Sequence, residues 1–218
     1  MPEKLSKYKF RKIATEALLN GLRLHFDSIL LFNNESYPTS LQISIVALEE
    51  IAKAKWVEHY YYSSITNGGF PDRDFEQQWL KLLYFHPKKQ YAFLASEYFE
   101  YSPRFVEFVQ KGQLELLKQR ATYVGLSKTK SSIDINSRIS IPERIKESDA
   151  KKIISLLNDV LIEICEMKMF QEYYFGIEEM DAVIDENLLA SLKKWKYKSG
   201  IKSRKWFSEW TRQMKSSS

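Results

Sequence analysis

Between residues 9 and 65, apolar side chains recur at three- and four-residue steps, interrupted only by Asn33-Asn34-Glu35-Ser36-Tyr37-Pro38. That spacing lines one face of a helix, so two long helices on a short turn are predicted, lying side by side and antiparallel. The first covers about 9–32, with Phe10, Ile13, Ala17, Gly21, Leu24 and Ser28 along its stripe. The second opens with Pro38 in its first turn and runs to about 65, where Thr66-Asn67-Gly68-Gly69 stops it. Leu41, Ser44, Ile45, Leu48, Ile51 and Ala52 form its packing stripe.

The remaining chain has the same character. Only 7 Gly and 6 Pro punctuate 218 residues, which disfavours a sheet of many strands and turns. Helices are predicted over about 72–84, 88–101 and 104–124, with Gly112 interrupting the last. A polar loop follows at 125–141, then a helix from Pro142 to about 174, one over 180–197 and a short one over 203–214. The fold class is all-α, a helical bundle, and no fixed-period repeat suggests a solenoid. A helical body over 1–176 and a basic, aromatic helical extension over 177–218 are the expected units.

Hydrophobic residues make up 44% of the chain, enough for a core. No apolar run reaches the length of a membrane span, and the basic stretch 1–12 lacks the apolar segment of a signal peptide. A single cysteine, Cys165, rules out an internal disulfide and suits a reducing compartment. A cytoplasmic location is expected. The net charge of +5 is unevenly spread. Residues 193–215 hold nine Lys/Arg and one acid, or +8, leaving 24 basic and 27 acidic residues, or −3, elsewhere. Arguments about anionic partners therefore belong to the tail.

Charged residues cluster on the first two helices. Glu49 and Lys53 stand four apart with the acid first, the favourable order for a helical ion pair. Glu50 projects about a hundred degrees from Glu49, so one of the two carboxylates should turn inward. Asn20, Arg23 and Asp27 share a face of the first helix, and an antiparallel hairpin places them against Glu50 or Lys53. By spacing alone this reads first as a surface ion pair with one buried salt bridge that fixes helix register.

The ordered landmarks Ala14-x5-Asn20-x2-Arg23-x3-Asp27, Tyr37-Pro38-Thr39-Ser40-Leu41 and Ala47-Leu48-Glu49-Glu50-Ile51-Ala52-Lys53-Ala54 resemble the opening hairpin of the AbiV-type abortive infection proteins of bacteria. His86-Pro87-Lys88-Lys89 is similar to that family's His-x-x-Lys, and Lys118-Gln119-Arg120-Ala121-Thr122-Tyr123-Val124 to its basic-then-aromatic segment. Two positions depart: Ala52 replaces the usual Gly, and Gly125 stands where an Asp is typical. The resemblance implies a HEPN-like helical bundle that commonly dimerises and sets its polar residues along the dimer cleft. It also implies an antiphage effector that arrests host growth when infection is sensed, through RNA, the ribosome or translation, with a phage-encoded protein as trigger.

Many HEPN proteins cleave RNA without a metal, using an Arg-x4-6-His motif. Here no Arg precedes His25, His59 or His86 at that spacing. A substitute set can be drawn, with His86 as acid or base, Lys89, Lys118 and Arg120 on phosphate oxygens, and Glu50 or Tyr123 orienting the base. No His/carboxylate spacing suggests a metal site, and no cofactor is expected. In the tail, Trp206, Trp210 and Met214 line one helical face among Arg204 and Lys205, downstream of Lys193, Lys194 and Lys196. These features suit a docking helix, RNA or ribosome binding, or a membrane surface. A non-catalytic binding module with a purely structural polar cluster is the alternative function.

Overall fold

The computed structural model describes residues 4–95, 100–126 and 132–202. Two long helices dominate it: α1 (Lys7–Asn33) and α2 (Tyr37–Thr66). Ser6 caps α1 through a hydrogen bond from the Lys9 amide, and Pro38 occupies the first turn of α2. The pair is antiparallel, as their contacts show: Phe10 meets Tyr60, Gly21 meets Ile51, and the Ser40 hydroxyl donates to the Ser28 carbonyl. At Gly21 the two helices approach closely. A Cβ built there would lie 2.6 Å from Cδ1 of Ile51.

Shorter helices wrap the hairpin: α3 (Arg73–Leu82), α4 (His86–Ala95), α5 (Pro103–Gln110) and α6 (Gln113–Thr122). Asp72 caps α3 on the Phe75 amide, and Trp79 from α3 stacks on Tyr60 at 4.0 Å between centroids. The helix expected over 104–124 is two helices. Gly112 between them takes φ +69°, a left-handed conformation that glycine alone adopts without strain. Gly125 and Ser140 exchange backbone hydrogen bonds and so close the base of the expected polar loop. Residues 96–99 and 127–131 lie outside the described chain.

The helix expected from Pro142 begins later. A single 3-10 turn covers Pro142–Arg144, and α7 (Glu147–Gln171) starts at a capping box in which the Lys146 amide donates to Asp149. Every residue of α7 from Ile153 to Cys165 is buried, so α7 is a central helix covered on all sides. Its inward polar groups are met by neighbours: Asn158 by His25, Ser155 by the Trp195 indole, Asp159 by Ser199, and Glu163 by Lys202.

The single helix expected over 180–197 is replaced by α8 (Glu178–Val183), α9 (Glu186–Leu192) and a non-helical strap over 193–202. Asp185 explains the first break, because its carboxylate accepts from the Leu188 amide and caps a new helix. Trp195 explains the second, since its ring is buried against Phe32 while its indole N–H reaches Ser155. The expected helix over 203–214, with Arg204, Lys205, Trp206 and Trp210, lies outside the described residues. Among the described residues no helix is long and apolar enough to cross a membrane.

Candidate functional site

Three helices converge on one carboxylate. Glu49, near the middle of α2, is fully buried. It accepts from Lys118 Nζ at 2.8 Å and Gln90 Nε2 at 2.7 Å, and lies 2.5 Å from His86 Nδ1 and 3.8 Å from Lys89 Nζ. The sequence makes this convergence local. α4 begins at His86, so His86, Lys89 and Gln90 stand at positions i, i+3 and i+4 on a single face. Glu115 and Lys118, three apart on α6, close the other side with an ion pair at 2.8 Å. Gln90 and Glu115 were not anticipated. Their signal is the helical step to His86 and to Lys118.

Glu50, the next residue round α2, lies between α1 and Lys89 of α4. Lys53 reaches it at 3.4 Å and Lys89 at 3.6 Å, and the Asn20 amide donates to it at 3.4 Å. Lys53 therefore pairs with Glu50, three residues away, in place of the four-residue step to Glu49. Arg23 bonds Asn20 at 2.9 Å and Asp27 at 2.8 Å, so the α1 group joins the cluster through Asn20 alone. The predicted hairpin contact of Asn20 with Glu50 is present, and the inward carboxylate is Glu49.

The charges balance: Glu49, Glu50 and Glu115 against Lys53, Lys89 and Lys118. Burial works against the Glu115 carboxylate, yet hydrogen bonds from Lys118 and Gln119 and the Lys118 charge hold it below its usual range. Gln90 donates to both Glu49 and Glu115, which fixes its amide orientation and leaves its buried Oε1 without a partner.

His86 is the member that opens outward. Its side chain is 54% exposed while its carboxylate partner is 0% exposed. An imidazole held through Nδ1 on a buried carboxylate presents Nε2 to solvent in a defined orientation, the arrangement used by general bases and acids. Arg120 and Tyr123 are not brought to this point. Arg120 lies two residues beyond Lys118, about 200° around the helix, and with Tyr123 it lines a separate pocket of about 220 Å³ beside Leu126 and Ser140. Both are exposed.

The other histidines play different parts. His25 is buried, bonded through Nε2 to Asn158 at 3.1 Å, and burial holds its pKa down to about 4. His59 is exposed. Lys193 pairs with Glu166 at 3.5 Å, whereas Lys194 and Lys196 stand exposed on the strap.

Comparison with known proteins gives one positive result. No curated protein and no solved structure matches the chain. The family model HEPN_AbiV, described as AbiV, matches residues 9–163, which takes in the hairpin, the His86 helix, the Lys118 helix and most of α7. With that match over most of its length, and with the family's Asn, Glu-Glu and His-x-x-Lys landmarks gathered into one network, the chain belongs to the AbiV family of HEPN helical proteins.

Proposed function

We propose that this protein is an antiphage abortive-infection effector that arrests host growth on infection by acting on RNA or translation through the Glu49–His86 site. Membership in the AbiV family supports the defence role. The observation that supports the site is the pairing of a half-exposed imidazole with a fully buried carboxylate.

Glu49 is a positioning residue in this reading. It accepts the Nδ1 proton of His86 and so leaves the Nε2 lone pair free to take a proton from a 2′-hydroxyl. The attack of that oxygen on the adjacent phosphorus expels the 5′-oxygen, which collects a proton from the imidazolium. Lys89 and Lys118 neutralise the same carboxylate, so a phosphate near Nε2 does not meet an uncompensated negative charge. A second copy of the chain, in the dimer that HEPN domains commonly form, would bring Arg120 to the phosphate from across the cleft.

Sequencing RNA 5′ ends from phage-infected cells tests the chemistry. Discrete new ends are expected with the wild-type protein and none with His86→Ala. Identical ends in the two strains would refute cleavage at this site. The second reading, a purely structural network, is favoured by one observation: the charges of Glu49 and Glu50 are already matched by lysines. It predicts that His86→Ala is silent in cells while Glu50→Gln and Lys53→Met lower stability.

A further inference from the structure

The strap over 193–202 treats its lysines unequally. Lys193 pairs with Glu166, Lys198 with Asp159 and Lys202 with Glu163 and Glu100. Lys194 and Lys196, one residue either side of the buried Trp195, have no ion pair among the described residues. Both line an open pocket of about 660 Å³ between α1 and the strap, together with Phe26, Ile29, Trp195 and Tyr197. Among the described residues no carboxylate lines that pocket. The Tyr197 ring stands edge-on to Trp195 at 5.0 Å, and the Lys151 ammonium lies 4.8 Å from its centre.

An aromatic wall with two cations that have no ion pair and no opposing acid among the described residues forms a combination that selects a planar ring flanked by anions. That is the chemistry of an unstacked base and its neighbouring phosphates in a single strand. An acidic peptide would satisfy the lysines but leave the aromatic wall unused. A duplex would offer phosphates without a free base face.

We propose that the pocket between α1 and the strap binds single-stranded RNA, with one base against Phe26 and Tyr197 and the flanking phosphates on Lys194 and Lys196. This inference rests on the reading that the protein acts on RNA. It places a docking point for the strand apart from His86, on the side of the molecule held by α7 and the strap.

Fluorescence anisotropy of full-length protein with a labelled twelve-nucleotide single-stranded RNA tests it. Wild type should bind the single strand better than the matching duplex. Lys194→Glu with Lys196→Glu should weaken binding about tenfold or more, and Tyr197→Ala by about tenfold. In Lys194→Ala with Lys196→Ala the salt slope should become shallower by roughly 1.4, the value for two lost contacts to a single strand. Unchanged affinity in the double variants overturns the proposal. So does unchanged affinity there combined with its loss on deleting residues 203–218, which would assign RNA to the tail. The RNA-end comparison between wild type and His86→Ala is read separately from binding and so separates the two claims. If those ends are identical while the Lys194/Lys196 double variants lose affinity, the catalytic reading falls and the docking site stands.

Discussion

At the scale of single residues, Glu49 and His86 answer to different forces. Glu49 holds two lysines, a glutamine and a histidine in a dry site, so Glu49→Gln leaves Lys118 and Lys89 short of a counter-charge. A loss of about 3 kcal/mol is expected in chemical unfolding. His86→Ala removes a half-exposed ring and should cost under about 1 kcal/mol by the same measurement. Equal losses would mean that His86 is as structural as its partner. His25 makes a third residue-scale case. Its folded pKa of about 4 lies below the ordinary 6.5 because burial disfavours the charged ring. The unfolded chain therefore takes up a proton below about pH 6.5 that the folded chain refuses, and stability falls as pH drops toward 4. Relative to the non-titrating His25→Gln, the wild-type advantage should shrink by about 2 kcal/mol between pH 7 and pH 5. A gap that does not change with pH would contradict the assignment. The sequence shows that Glu49 and Glu50 diverge around α2 and that one must turn inward. It cannot show which, because the choice depends on how α4 and α6 pack over Glu49 while α1 and Lys89 of α4 meet Glu50.

At the scale of elements, the α1–α2 hairpin is the most readable part of the chain, and its two helices approach closely at Gly21. Gly21 lacks a side chain where Ile51 needs the space, and any Cβ there would also lie 3.2 Å from the Ile51 backbone nitrogen. Gly21→Val should therefore cost about 2 kcal/mol despite the gain in chain stiffness, as read from a lowered melting temperature. An unchanged or raised melting temperature would show that the helices can separate freely. The small residue that eases the crossing is thus on α1, although the glycine position expected from the family resemblance was that of Ala52 on α2, itself buried. Among the described residues helix existence was legible from periodicity, and Gly112 marked a true break. The break at Asp185 and the strap after Leu192 were not. Both are decided by partners distant in sequence, since Trp195 leaves the helical path to bond Ser155 forty residues upstream.

At the scale of the whole molecule, α7 organises the structure. Its buried polar groups bind His25 of α1 on one side and the strap on the other, so hairpin, central helix and C-terminal segment share one hydrogen-bonded interior. The Glu49 cluster lies at the opposite junction, where α4 and α6 meet α2. Of that cluster, the order Asn20, Glu49-Glu50, His86, Lys118 could be read along the chain, but the placing of Arg120 and Tyr123 outside it could not. Two residues beyond Lys118 on a helix is the far side, a fact that becomes decisive only once α6 is packed. The central proposal is that defence depends on the exposed imidazole and not on the network's contribution to stability. Plating phage on cells that express wild type or His86→Ala, with matched expression and melting temperature, tests this most directly. Protection lost in His86→Ala is the predicted result; protection equal to wild type would contradict it.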